Sequence, residues 1–424
     1  MSSSSRKHGS REIPARRIRA SSWARFALPA VGGATLLLGA PLASAQAWIF
    51  DPRVELVAIH DDNYRLAPDK PSQIEVNGGA IDAQLTARKE SQASLFEITP
   101  HVRSSFFPDA SSEESTDGYL DIHGSHRTQR TRLNILGQYA NESVVSSELP
   151  AADFPGVGLG QTVGGDAGRV SVRNRRELYA VEPSLEFDWA ERRHLTADVR
   201  YEKAAYDDSV FEQVGYTNIG AGAGILWDVS HRSTFSLNVL GAQYSPDDNS
   251  PDTRTGGVMA EWRTNPSAVT NFYFRLGGDH SQRSATGTTA DISTSSFNGG
   301  VGVAWNFQVT HIVIDALRST APSSQGVVVN RDELRFRLAR DFSPRVVGVF
   351  ALRGIRTDGV GTATDEVRER KYYTGHAGFE WRMTRQFSLE GAYEYKWQEY
   401  KGDPTSAQSN GATVSVVYEP RRLK

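Results

Sequence analysis

Between residues 183 and 206 the stretch PSLEFDWAERRHLTADVRYEKAAY places Leu185, Phe187 and Trp189, then Leu195, Ala197, Val199 and Tyr201, at every second position. A period of two is that of an extended strand whose two faces meet different surroundings. The two runs flank the polar stretch AERRH, so the segment predicts a β-hairpin. FNGGVGVAWNF repeats the pattern, with Phe297, Val301, Val303 and Trp305 alternating with Asn298, Gly300, Gly302 and Ala304. In FSLEGAYEYKW, Phe387, Leu389, Tyr393, Tyr395 and Trp397 alternate with Ser388, Glu390, Glu394 and Lys396. A slip of one residue would exchange the apolar and charged sets, so register is strongly specified. HIVIDALRS fits poorly because Asp315 shares parity with Val313 and Leu317, and a bulge is the expected reason.

The hairpin recurs every 33 to 43 residues. A bulky residue falls at Trp189, Trp227, Trp262, Trp305, Leu338 and Trp381, and twelve positions later stand Tyr201, Val239, Phe274, Leu317, Phe350 and Tyr393. Twelve is even, so both positions share a face wherever the turn preserves parity. Connections on one side are brief (AERR, DVSHR, RTNPSA, FQVT, RDFSP, MTRQ), while those on the other are long and polar, as at 147–169, 245–252, 284–293 and 358–369. Earlier strands are expected near 53–65, 78–89, 93–107, 117–127 and 132–144, and a closing strand at 410–419. The reading is all-β: a transmembrane antiparallel up-and-down β-barrel of about 18 strands, with about 16 if ELVAIHDDNYRL is an N-terminal extension. Soluble sandwiches, barrels and propellers also use strand repeats of this size. Loop asymmetry, strand length and an export signal favour the membrane barrel.

That signal is read in residues 1–47, the remainder, 48–424, being the barrel domain. Arg6, Lys7, Arg11, Arg16, Arg17, Arg19 and Arg25 precede the apolar FALPAVGGATLLLGAPL and the small-residue site ASAQA, so cleavage is expected near Ala45 or Ala47. Removing this segment takes the formal charge from −3 to −9, and an acidic mature chain argues against nucleic acid as a partner. Mean hydropathy of −0.45 and the lack of a long apolar run further on argue against helical spans. The chain has 0 cysteines, which leaves no disulfide to staple it.

With the aromatic parity turned to lipid, Glu182, Glu186, Asp188, Asp198, Arg200, Glu261, Arg275, Glu333, Arg335, Arg337, Glu380, Arg382, Glu390, Glu394 and Lys396 are candidate lumen-lining residues. Trp189, Trp227, Trp262, Trp305, Trp381, Tyr201, Phe274, Phe350 and Tyr393 are candidate membrane-interface aromatics. The interleaved charges either tune permeation or simply neutralise one another in a wet interior. Loop 147–169 is the candidate constriction or plug, or else lies outside the pore. Enzymatic signals are thin: His123, Ser125 and His126 in HGSH alternate in direction along a strand, and GAGAG at 220–224 suits strand packing rather than a phosphate loop. No HExxH-type spacing occurs, so neither a metal nor a cofactor is expected, and the protein is not expected to be an enzyme.

DPRVELVAIHDDNYRLAP followed by LFEITPHV, with Pro52, Asp62, Asn63, Leu66, Pro68 and the 96–100 segment, resembles the outer-membrane beta-barrel porin family associated with bacterial exopolysaccharide export. The resemblance implies a bacterial outer-membrane location, outer-membrane lipid as surroundings, and polysaccharide and periplasmic export components as partners. Two functions stay open: a porin-like channel for export of extracellular polysaccharide or passage of small solutes, and a non-conducting barrel that binds a surface or supports assembly through its extracellular loops. The final strand, GATVSVVYEP, is followed by RRLK, so Tyr418 is not terminal as in a common barrel ending.

Overall fold

Alternation of apolar and polar side chains builds one sheet that closes on itself. Its strands are β1 (Ile49–Asp61), β2 (Val76–Glu90), β3 (Ser94–Phe106), β4 (Ser115–Arg127), β5 (Thr131–Ser143), β6 (Arg175–Ala190), β7 (Arg193–Tyr206), β8 (Tyr216–Ser230) and β9 (Ser233–Pro246). They continue as β10 (Thr253–Ser267), β11 (Thr270–Arg283), β12 (Ile292–Asn306), β13 (Thr310–Pro322), β14 (Val328–Ser343), β15 (Val346–Gly359), β16 (Arg370–Arg382), β17 (Phe387–Tyr400) and β18 (Ala407–Tyr418). Each pairs antiparallel with its sequence neighbours, and β1 pairs with both β2 and β18, closing an 18-stranded barrel without an edge. ELVAIHD belongs to β1 itself, which settles the strand count. The structure, a computed structural model, describes residues 47–149, 152–153, 159, 161, 173–207, 213–248, 250–284, 291–360, 369–402 and 405–420. The expected export signal and most of loop 147–169 lie outside the described residues.

The outer face carries an apolar belt that is exposed all round: Leu56, Ile81, Val102, Leu185, Leu237, Val258, Phe297, Ile314, Leu352 and Phe379 are examples from successive parts of the sheet. A soluble protein rarely exposes so much contiguous apolar surface, whereas hydrocarbon is the solvent that suits it. No helix among the described residues is long and apolar enough to cross a membrane.

Parity through the short turns explains where the twelve-residue rule holds. In the β6–β7, β8–β9, β10–β11 and β14–β15 hairpins a register shift next to the turn leaves residues twelve apart on one face. The β16–β17 hairpin keeps the rule with no shift, since Trp381 faces Leu389, an even number of residues on. In β12–β13, by contrast, Trp305 faces Ile312, an odd number on, and the ladder runs in step to Gly299 and Arg318. The faces of β13 therefore reverse relative to the expectation. Ile314 points out, while Leu317 turns inward and is 4% exposed. Asp315 needs no bulge; it is on the inner face, paired with Gly302 and Arg335. Gly302 is required there, because a Cβ would lie 2.6 Å from the Tyr273 ring and 3.2 Å from the Asp315 carboxylate.

Candidate functional site

The site is the lumen. Every candidate lumen residue named from the sequence lies on the inner face, and the structure groups them by height. Toward the short turns, Glu186 and Asp188 of β6 stand beside Arg132 of β5 and His194 of β7. Glu380 and Glu390 face each other across β16 and β17, with Arg382 3.1 Å from Glu380 and Arg53 3.9 Å from Glu390 to offset like-charge repulsion. Glu261 accepts from Arg263 and is paired in register with Arg275.

At mid-height, Asp198 and Arg200 line a recess of about 290 Å³ with Thr255, Met259, Asp279 and Asn298. Arg200 and Glu182 also border a recess of about 320 Å³ with Asp121, His123 and Gln138. Lys396 lies 3.2 Å from Asp61 and 3.3 Å from Glu394, which joins β17 to the end of β1. Arg335 is fully buried against Asp315, which also accepts from the Tyr273 hydroxyl. Glu333 accepts from Arg353 at 2.9 Å and lies 3.3 Å from Arg331.

The two walls differ in sign. On β4 to β8 the inner face carries Asp117, Asp121, Glu142, Glu182, Glu186, Asp188, Asp198, Glu202 and Asp228 against Arg127, Arg132, Arg176 and Arg200. On β13 to β16 it carries Arg331, Arg335, Arg337, Arg353, Arg370 and Arg382 against Asp315, Glu333, Asp341 and Glu380. A transverse field across the lumen follows from this separation. Arg331, Arg353, Arg370 and Asp315 join the lumen set beyond the residues that the sequence pattern marks. Strand alternation could have found Arg353, since it shares the parity of Ala351, opposite the exposed Phe350 and Leu352.

Toward the long loops, chain from opposite walls meets inside. The segment after β5 forms a single helical turn, α1 (Val144–Glu148), capped where the Ser143 hydroxyl accepts from the Ser146 N–H. Just beyond it, Asp153 accepts a 2.7 Å bond from Arg337 of β14, which stands nine strands away and so on the far side of the ring. Val144 and Leu149 pack with Leu66 of the β1–β2 loop against Ile355, Tyr372 and Ala407. A second apolar cluster joins Ala140, Leu178, Ala204, Tyr216 and Tyr244 to Val328 and Val360. The Tyr244 hydroxyl donates to the Ser323 carbonyl at 2.7 Å, and the Val214 N–H to the Ser324 carbonyl at 2.7 Å. These contacts narrow the long-loop end of the lumen.

All the candidate interface aromatics lie on the outer face. Trp189, Trp262, Trp381, Tyr201, Phe274, Phe350 and Tyr393 are exposed, and Trp227 and Trp305 are half-buried. Trp262 and Phe274 are direct cross-strand partners and stand at one height.

The fold and lumen define a closed transmembrane-type β-barrel. Among solved structures the chain is similar to Pseudomonas aeruginosa OccK2 (OpdF) in complex with glucuronate, at 13% identity and TM-score 0.44 over 88% of this chain and 98% of that one. It is also similar to the outer membrane protein opdK from Pseudomonas aeruginosa (11% identity, TM-score 0.45, 88% and 98% covered) and to Acinetobacter baumannii OccAB4 (9%, 0.44, 88% and 98%). No protein-family model matches the sequence, and no curated protein does. The fold assignment rests on the strand pairing of this chain itself.

Proposed function

We propose that this protein is a porin-type channel of the bacterial outer membrane that passes small polar solutes through an entrance narrowed by its own loops. One observation carries the reading: a lumen whose walls bear opposite charge, bridged near the long loops by the Asp153–Arg337 contact. Charged rings around water select solutes by size and orientation, and they would be costly in a packed core without that role. Export of exopolysaccharide, which the family resemblance implies, requires the crossing contacts to part, so small-solute passage is the better-supported cargo. The apolar packing of Leu66, Val144 and Leu149 favours a second reading, a sealed barrel acting through its loops.

Liposome swelling separates these readings. Protein-containing vesicles should swell with solutes of the size of arabinose or an amino acid and not with long dextrans. Equal entry of long dextrans would favour polysaccharide passage, and no swelling with any solute would favour the sealed barrel.

A further inference from the structure

At the short-turn end of the lumen, four acid or imidazole groups from three strands converge on one point. Glu186 and Asp188 lie on β6, His194 opens β7, and Asp228 is near the end of β8. His194 Nδ1 is 2.5 Å from Asp188 Oδ1 and 3.6 Å from Glu186 Oε1, and its Nε2 is 3.0 Å from Asp228 Oδ2. The ligand atoms of Glu186, Asp188 and His194 all lie within 4.8 Å of one another. We propose that this cluster is a binding site for a first-row divalent cation with affinity for imidazole, of which Zn²⁺ is the type.

Three features carry the assignment. The first is the donor set: imidazole nitrogen and carboxylate oxygen are both zinc ligands, and three protein donors leave a fourth position for water. Donors around a tetrahedral ion stand roughly 3.3–3.6 Å apart at zinc's bond lengths. Glu186 already stands at that separation from Nδ1, and a rotation of the Asp188 carboxyl brings it there.

The second is the outer shell. A metal-bound histidine ordinarily donates its other ring N–H to a carboxylate, which fixes the tautomer. Asp228 occupies that position, and Nδ1 donates to Asp188, so a metal would take the place of the Nδ1 proton between His194 and the carboxylates of Asp188 and Glu186. Arg132 donates to Glu186 Oε1, the oxygen that faces His194, and lies 3.9 Å from Asp188, which holds the carboxylates in place and leaves the second oxygen of Glu186 to share in binding. The third is charge: three carboxylates face the two guanidinium groups of Arg132 and Arg127, and a divalent ion that displaces the imidazole proton offsets the remaining negative charge. His194 is 8% exposed in its side chain while Glu186 and Asp188 are about a quarter exposed, so the acids open to the lumen and give an ion a way in. Helical motif spacing could not reveal this site, because a hairpin turn brings residues six and eight apart together.

The test uses full-length protein without a polyhistidine tag, stripped with chelator in detergent and titrated with Co²⁺, then with Zn²⁺ in competition. One Co²⁺ per chain should give visible d–d absorption that Zn²⁺ abolishes. His194→Ala and the isosteric Asp188→Asn should each weaken binding at least tenfold. Asp228→Asn should weaken it by about 10–100-fold, as expected for an outer-shell partner. His231→Ala should leave it unchanged. Strand content by circular dichroism shows that each variant is folded. Wild-type protein that binds no Co²⁺, or a folded His194→Ala that binds as wild type does, would overturn the proposal.

Discussion

Leu237 and Leu240 lie three residues apart on β9 and are almost equally accessible, 42% and 39%, yet one faces outward and the other into the lumen. Accessibility alone cannot tell lipid from water, and parity can. Leu237→Arg should therefore lower the folding free energy in lipid vesicles by about 2–4 kcal/mol if the site is near the bilayer midplane, less near an interface. Leu240→Arg should cost well under 1 kcal/mol by the same urea titration; equal losses would mean that the outer face does not meet hydrocarbon. Burial changes the arithmetic at Asp315 and Arg335. Arg335→Met removes the countercharge of a carboxylate that is 0% exposed, leaving it the Tyr273 hydroxyl, and should cost about 3–5 kcal/mol. Arg382→Met, removing a partly exposed partner of Glu380, should cost under about 1 kcal/mol. At this scale the sequence was informative wherever alternation was clean, as at Glu182 to Asp188. It was silent on Asp153, whose partner lies 184 residues away.

Elements are set by how each turn hands parity from one strand to the next. The hairpin pattern was legible from Trp and Phe at even spacing, and so was the division into short and long connections. The reversal at β13 was not legible, because it depends on the register next to FQVT rather than on any side chain within the strand. The absence of cysteine provides a background for testing it. With Ile314→Cys and Val313→Cys placed singly in vesicles, a lipid-soluble maleimide should label position 314 and a charged aqueous thiosulfonate position 313. The opposite preference would restore the twelve-residue rule to this hairpin and refute the register described above.

At the scale of the molecule, closure of the ring follows from alternation, whereas the filling of its interior does not. Leu66, Val144, Leu149 and Ser323 reach the lumen from the segments between strands, whose composition is that of ordinary polar connections. Contacts between opposite walls leave no periodic trace in a sequence. Loop 147–169 was recognisable as a candidate constriction, and its described residues Leu149, packed against Ile355 and Tyr372, and Asp153, bound to Arg337, lie inside. Single-channel recording from the full-length protein in planar bilayers tests the account most directly. Discrete ohmic openings are predicted, with conductance rising at least twofold in Asp153→Asn as the far-wall tether is lost. Inserted barrels that stay electrically silent, in both the wild type and the variant, would contradict a loop-narrowed channel.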